Sequence, residues 1–472
     1  MAVLSGIAVA REAAISVQGF WEKCKTSLKR TLGIDQAIAY TVFARGSGTL
    51  GSVGTVLLLV HFLNGVQQGY YYALLSLVAL QTVFELGFSV VILQMAAHER
   101  AHLHIDEEFT ISGDALAHQR LASIFQKTVR WYSIAAFLIL LILLPGGIAF
   151  FARHQQPGAY SEWLLPWCFA VPACILTFLV NPCCSFLEGC GYVPQVAKMR
   201  VFQSLLGTTL CWIAMISRHG LFAPAAVLTT HGIVGFTFFS RYRKLLIPLL
   251  KQSARSSRID WGKEVWPFQW RIAVSTLCSY LTALVFTPII FAMSGPVAAG
   301  QFGLSINIAN ALLSLVLPWI TTKAAPFGRL VATRDRAALN RMFFRALLQS
   351  SIFFALMLSG CAASIYALHV LSPRLASRML LPPLFAVLLL TTLFSYILQG
   401  EATYLRAHKE EPLFAQSIVV ATLSLISSLV LAKYWGMAGV VWAYFVCTGV
   451  IGLVSGTIIS YKKKLSWDSG LS

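Results

Sequence analysis

Twelve apolar runs, each long enough to cross a membrane as a helix, follow one another along the chain. Their approximate limits are 49–67, 70–97, 128–151, 162–187, 198–217, 222–241, 271–293, 300–322, 343–370, 380–400, 413–433 and 437–460. The apolar core of a bilayer is about 30 Å thick and takes about 20 helical residues to cross. Prolines interrupt several runs, as at Pro172, Pro288 and Pro318. A bundle tolerates such breaks because neighbouring helices recover the freed backbone groups. The pattern predicts an all-α polytopic membrane protein of about 12 transmembrane helices.

The beginning of the chain keeps a different period. Val3, Ile7, Ala10, Ala14, Val17, Trp21, Cys24 and Leu28 recur at alternating spacings of four and three, with Arg11, Lys23, Lys25 and Lys29 elsewhere around the helix. One apolar stripe of this kind predicts an amphipathic helix lying in the membrane interface. A frayed cytoplasmic tail is the alternative. The stretch "VLSGIAVA" has no basic region before it and is followed at once by Arg11 and Glu12, so no signal peptide is expected.

Composition agrees with the pattern. Of 472 residues, 57% are hydrophobic and 11% charged, where a soluble domain carries about 25% charged residues. A soluble domain with a single anchor is thereby excluded. The net charge of +18 would suit a nucleic-acid partner, but the basic residues are scattered between apolar runs with no aromatic-interleaved patch. They read instead as topology determinants and contacts to anionic lipid. The ten cysteines form no C-x-x-C pair, and most lie inside apolar runs, where a thiol acts as a small hydrophobe. Vicinal Cys183 and Cys184 are read as packing residues.

With the N-terminus placed in the cytoplasm, all but five of the 36 Lys and Arg residues fall on the inner side, the exceptions being Arg153, Arg218, Arg374, Arg378 and Lys433. That bias predicts that both termini are cytoplasmic. The outer connections, such as "MSGPVAAG" and "KYWGM", are too short for an external domain. The longest inner connection, "RYRKLLIPLLKQSARSSRIDWGKEVWPFQWR", divides the chain near its midpoint. The expected organisation is an interfacial segment (1–47), a six-helix bundle (48–243), a basic cytoplasmic linker (244–270), a second six-helix bundle (271–460) and a cytoplasmic tail (461–472).

The two bundles resemble each other in sequence. Leu121 and Phe125 match Leu339 and Phe343, and Leu187, Pro194 and Val201 match Leu405, Pro412 and Val419. Gly220 stands against Gly436 and Tyr242 against Tyr461, in the same order at nearly one offset. Six spans per half is an even number, so the halves enter the membrane the same way round. In such parallel repeats the substrate is held between halves that rock against each other.

Candidate chemistry is sparse and therefore conspicuous. Glu85 is the one charged residue between Tyr70 and Ala97, near the middle of the second span. A carboxylate at that depth costs a few kcal/mol or more and normally faces protein or a water-filled path. Gln81, Glu85 and Ser89, spaced by four, share a helix face there; Asn307, Asn310 and Ser314 form a stripe on the eighth span. Under the repeat the two spans correspond, so the stripes are expected as opposing walls of a central cleft. Interhelical hydrogen bonding, worth about 0.6–2 kcal/mol per pair in membranes, is the other explanation for them. Lys198, Arg200, Arg271 and Lys323 stand at inner span ends. They suit either an anionic substrate or lipid headgroups reached by snorkelling. In "HERAHLHIDEE", His98 and His102 at i, i+4 could ligate a metal, but a solvated loop is the simpler expectation, so no metal site is assigned. Nothing suggests a nucleophilic triad, a phosphate-binding glycine loop or a nucleotide site, and no cofactor is expected.

Several stretches carry a family resemblance. "FELGFSVVILQ" resembles the acidic-x-Gly-Phe segment of O-antigen and polysaccharide flippases, and "GQFGLSINIANALLSLVLPWITTKAAPFG" is similar to their Gly-aromatic start and downstream Pro. "LEGCGYVPQVAK" and "YLRAHKEEPLFAQ" look like their fourth-to-fifth and tenth-to-eleventh turns; the resemblance covers most of residues 45–460. Multidrug and toxin extrusion exporters and lipid-linked peptidoglycan-precursor flippases are wider relatives of that family. The resemblance implies a bacterial inner-membrane transporter, not an enzyme. It would move an undecaprenyl-diphosphate-linked oligosaccharide to the periplasmic leaflet, beside a polysaccharide polymerase or chain-length machinery and among anionic lipids. Relatives often carry a cation deep in the seventh span, whereas "IAVSTLCSYLTALVF" has none. An ion-coupled antiporter of amphipathic cations, with Glu85 exchanging protons, is the second class. A polyprenyl-dependent glycosyltransferase or polymerase is the third, disfavoured by the short, charge-poor outer connections.

Overall fold

The computed structural model describes residues 51–468 apart from positions 53, 86, 107, 155–159, 253–265, 334 and 409–411. The expected amphipathic stripe of residues 3–28 lies outside the described residues. So does the side chain of Arg271.

Helix α1 (54–62) turns at Leu63 and Asn64 into α2 (Gly65–Val78). The turn has a local cause. The Asn64 side chain accepts from the Gln67 amide at 2.8 Å, and the Gln67 side chain accepts from the Asn64 amide at 3.2 Å. This reciprocal cap satisfies two of the donors that a helix start leaves open. The second span, expected as one helix over 70–97, is in fact three: α2, α3 (Gln81–Glu85) and α4 (Phe88–Arg100). Gly87, between α3 and α4, is left-handed with φ 67°.

The connection after α4 differs from the solvated loop expected there. Beyond Arg100, strands β1 (Leu103–Ile105) and β2 (Ile111–Gly113) pair antiparallel, with Leu103 opposite Gly113 and Ile105 opposite Ile111. The alternation of Leu103 and Ile105 with His102 and His104 puts one apolar edge against the bundle, and Leu103 is buried. The remaining described elements are helical.

Four long helices complete the first half: α5 (Ala115–His154), α6 (Tyr160–Gly189), α7 (Val193–Ile216) and α8 (Ala223–Arg241). Pro194 and Pro224 stand in the first turns of α7 and α8, where a missing N–H costs nothing. A short helix, α9 (Arg243–Lys251), follows inside the stretch expected as linker. The second half runs through α10 (Trp266–Ala283), α11 (Phe286–Val316), α12 (Pro318–Thr321), α13 (Ala324–Ala332), α14 (Arg336–Leu371), α15 (Pro373–Ala376), α16 (Pro382–Ala407), α17 (Phe414–Tyr444) and α18 (Gly452–Asp468). A seven-residue π-helical segment, Phe445–Ile451, joins the last two.

Eight helical stretches among the described residues are long and apolar enough to cross a membrane, against the 12 expected. Part of the difference is in how two pairs of spans join. Tyr280–Val331 and Phe414–Trp467 are 52 and 54 residues long, about 80 Å if straight and far more than a bilayer. Gly295 (φ 86°) and Gly436 (φ 58°) turn these stretches, in backbone conformations that a side chain would strain. Around Gly436 the two arms lie antiparallel. Gln416 Nε2 donates to the Gly452 carbonyl at 2.7 Å, and the Ser424 and Thr448 hydroxyls are 2.9 Å apart. The other part is α1 to α4, which among the described residues form no single helix of spanning length.

The outer surface explains why the chain needs lipid. On α14, Phe344, Leu348, Ile352, Phe353, Leu356 and Val370 all point outward and are exposed. A continuous apolar belt of this size has no counterpart on soluble monomers. The chain is a multi-pass membrane protein.

The halves meet along α2 and α11. We call the end carrying β1–β2, α9 and the α16–α17 turn the basic face. Contact between halves is concentrated towards the opposite face. There Tyr70, Phe151 and Phe291 form one buried aromatic cluster, with centroids 5.1 Å (Tyr70–Phe291) and 5.5 Å (Phe151–Phe291) apart. Phe291 comes from the second half and the other two from the first. Deeper, Tyr280 Oη donates to the Ser76 carbonyl at 3.2 Å, and α3 packs on α10.

Candidate translocation site

The break in the second span separates residues that one straight helix would have aligned. Gln81 turns to the first half, where Cys174 Sγ on α6 donates to its Oε1 at 2.9 Å. Glu85 and Ser89 stay together: Ser89 Oγ donates to the Glu85 carboxylate across the Gly87 turn. Both are half-buried. Trp131 stacks on Phe88 at 5.5 Å beside them.

The Asn307, Asn310 and Ser314 stripe divides as well. Asn307 lines a cavity of about 550 Å³ that otherwise belongs to the first half. Asn310 lines a second cavity of about 550 Å³ within the second half. Ser314 Oγ donates to the Ala311 carbonyl of its own helix at 2.7 Å. Across the halves α3 packs on α10, whereas α11 packs on α2. The stretch holding Gln81 and Glu85 thus has the seventh span as its neighbour rather than the asparagine stripe.

The first cavity contains Thr55, Asn181, Arg200, Gln203 and His231 besides Asn307. Gln203 Nε2 donates to the His231 carbonyl at 2.8 Å, which holds α7 and α8 in register. Arg200 is half exposed and pairs with Glu188 at 2.9 Å. Lys198, two residues earlier, lines a different cavity beside the β-hairpin. The expected cluster of cations is therefore split between two faces of α7. Lys323 is half-buried between α12 and α13.

The second cavity is lined by Thr392, Ser395, Gln399, Arg406 and Gln416 in addition to Asn310. The π-helical segment borders it through Thr448, and such segments are common at functional sites because they break the regular ladder. Among the described residues lining the two cavities there are two arginines and no carboxylate.

Three further polar residues escaped sequence reasoning. Gln68 sits two residues before the apolar run and is buried. Arg406 fell in a segment taken for a turn. Glu401 fell one residue past the end of the tenth run, yet it is buried and accepts from Thr457 Oγ1 at 2.9 Å and Ser460 Oγ at 3.3 Å on α18. A signal was present in its polar partners, but they lie some 56 residues downstream. Near the basic face, Glu99 is paired with Arg120 at 2.7 Å, and the His98 and His102 rings are 5.9 Å apart. Among the described residues, no three potential metal-ligating side chains converge.

No protein-family model matches the sequence, and no curated protein matches it. Solved structures do. A multidrug resistance MATE family transporter of the MOP superfamily in an inward-facing conformation superposes with TM-score 0.56 and 13% identity, covering 89% of this chain and 99% of that one. The lipid II flippase MurJ, in an inward closed conformation, gives TM-score 0.57 and 15% identity over 89% of this chain and 86% of that one. A MOP superfamily transporter from Pyrococcus furiosus gives 0.52 and 13% over 91% and 96%. At these identities the likeness is one of fold. The chain has the polytopic helical fold of the MOP-superfamily transporters, and these structural neighbours are transporters and a flippase rather than enzymes.

Proposed function

We propose that the protein is a flippase. It carries an undecaprenyl-diphosphate-linked oligosaccharide from the cytoplasmic to the periplasmic leaflet of a bacterial inner membrane, for polysaccharide or O-antigen assembly. Both termini face the cytoplasm, and the basic face is the loading side. The observation that carries this reading is the polarity of the two cavities. Among the described residues each is lined by one arginine, Arg200 in the first half and Arg406 in the second, and by no carboxylate. A guanidinium offers a bidentate fork to a phosphate, for which Arg200 would exchange its present partner Glu188, whereas a cationic drug would call for acidic lining. Asn307, Asn310, Gln203 and Gln399 supply amides for glycan hydroxyls, and the polyprenyl tail stays in lipid beside the cleft. The likeness in fold to a lipid II flippase supports the same assignment.

The cycle is alternating access. Contacts between halves are gathered towards the face away from the basic loops, so rocking of the halves would open that side and release the substrate there. One observation favours a second reading. Glu85, half-buried near mid-span with Ser89 as partner, suits the proton exchange of an ion-coupled antiporter.

The deciding experiment measures transfer of fluorescent undecaprenyl-diphosphate oligosaccharide across liposomes holding the purified protein. Wild type is expected to transfer it, and Arg200→Ala with Arg406→Ala to lose most of that transfer. Protein that is folded but moves no lipid, while exporting a cationic dye under a proton gradient, would replace the flippase with the antiporter. Transfer that fails in Glu85→Gln as well would place Glu85 in the cycle; equal transfer would make it structural.

A further inference from the structure

A third cavity, of about 750 Å³, lies at the basic face between α7, α8 and the tip of the β-hairpin. All of its lining belongs to residues 105–242, so it is separate from the cavity that Asn307 shares with the first half. We propose that it binds the phosphate headgroup of an anionic phospholipid resident in the inner leaflet.

Two exposed cations line it: Lys198 from the second turn of α7 and Arg241 from the last turn of α8. Among the described residues its one lining carboxylate is Asp106, which accepts from the Thr110 amide at 2.7 Å and the Thr110 hydroxyl at 2.5 Å at the hairpin tip. The two cations outnumber it among the described lining residues. Gln195 adds a neutral donor, while the Thr237 hydroxyl donates to the Val234 carbonyl of its own helix at 2.9 Å. Tyr192 and Tyr242 also line it, with phenols that are protonated at neutral pH.

The cavity is also rigid. Phe109 is wedged at a left-handed φ of 68°, a conformation a bulky residue keeps only when its surroundings impose it. The Phe109 ring packs 5.3 Å from Tyr242, which lies 5.0 Å from Tyr192 and 4.9 Å from Phe238. On the membrane side the lining changes to Phe202, Val234 and Phe238, and Phe202 continues the exposed apolar belt. A polar, cationic pocket opening onto an apolar wall has the profile of a phospholipid, with headgroup within and acyl chain outside. Free phosphate would gain nothing from that wall.

The test is native mass spectrometry of the purified full chain, titrated with phosphatidylglycerol, phosphatidylcholine of the same acyl chains, or inorganic phosphate. Wild type is expected to retain one phosphatidylglycerol with roughly tenfold higher affinity than the Lys198→Gln/Arg241→Gln variant, the loss expected from two charge-assisted contacts. Thr237→Trp, which fills the cavity and keeps both charges, is expected to weaken binding by a similar factor. Lys462→Gln/Lys463→Gln, elsewhere on the basic face, should bind as wild type does. Equal affinity in wild type and both cavity variants would overturn the proposal. So would phosphatidylcholine binding as tightly as phosphatidylglycerol, or inorganic phosphate competing on equal terms with the lipid.

Discussion

Gln68 of the first half donates its side-chain amide to the Gly300 carbonyl of the second at 2.8 Å. The same nitrogen donates to the Arg378 carbonyl at 3.0 Å. This buried clamp holds α2 against α11 at the point where the two backbones touch. A Cβ on Gly69 would stand 1.9 Å from the Pro296 carbonyl oxygen, and one on Gly300 would stand 2.8 Å from the Gly69 amide nitrogen. Small residues at such crossings let helices approach closely in a membrane.

Gly69→Val is therefore expected to prop the seam open. A cysteine placed at Ala299, buried in the seam, should react several times faster with a membrane-impermeant thiol reagent in the variant than in an otherwise wild-type background. Transport should fall in parallel. Unchanged labelling would show that the seam tolerates the side chain and does not gate access.

Glu401 joins α16 to α18 through two hydroxyl donors. Glu401→Leu leaves Thr457 and Ser460 facing an apolar side chain and should cost about 1–3 kcal/mol, the penalty for buried polar groups that lose a partner. Glu401→Gln keeps an acceptor oxygen and should cost less. Thermal unfolding in detergent ranks the two, and the reverse order would mean that the charge itself matters.

The Glu99–Arg120 pair should be asymmetric. Glu99 has only 7% of its side chain exposed and Arg120 has 31%. Arg120→Leu strands a buried carboxylate and is expected to destabilise by about 2 kcal/mol, below the ~3–5 kcal/mol of deeper pairs because water still reaches the arginine. Adding Glu99→Gln should restore most of that loss. A double variant no better than the single one would refute the explanation.

Acid should loosen the hairpin tip first. Hydrogen bonds from Thr110 to the Asp106 carboxylate lower its pKa below the ordinary value. A lowered pKa in the folded state means that the stabilisation is fully present above about pH 4, the unfolded value, and is lost as pH falls through the folded one. Protection of the Thr110 amide, taken relative to its intrinsic exchange rate at each pH, should fall over that window in wild type. In Asp106→Asn that protection should not change with pH, and a wild-type profile in that variant would exclude the carboxylate as the cause.

The site residues divide by what made them visible. Glu85 stood out because an isolated charge in an apolar run is costly wherever it goes, and the structure supplies Ser89 as its partner. Gln81 and Asn307 were also legible as polar positions in spans. Their partners were not, because helical spacing assumes one unbroken helix and Gly87 ends that regularity. Glu401 was missed altogether, since a charge at the edge of a run costs little and its depth depends on how α18 crosses α16.

The sequence by itself determined that the chain lives in lipid, with helical runs joined by short turns. Bilayer thickness acts on each segment separately, and hydrophobic length answers it. Gly295 and Gly436 were already placed within the short connections between runs. Only the tertiary structure decided that the second span breaks in three, that α2 lies on α11, and that Lys198 and Arg200 serve different cavities. Those outcomes depend on how closely two helices approach and at what angle they cross, and lipid-driven patterning is indifferent to both.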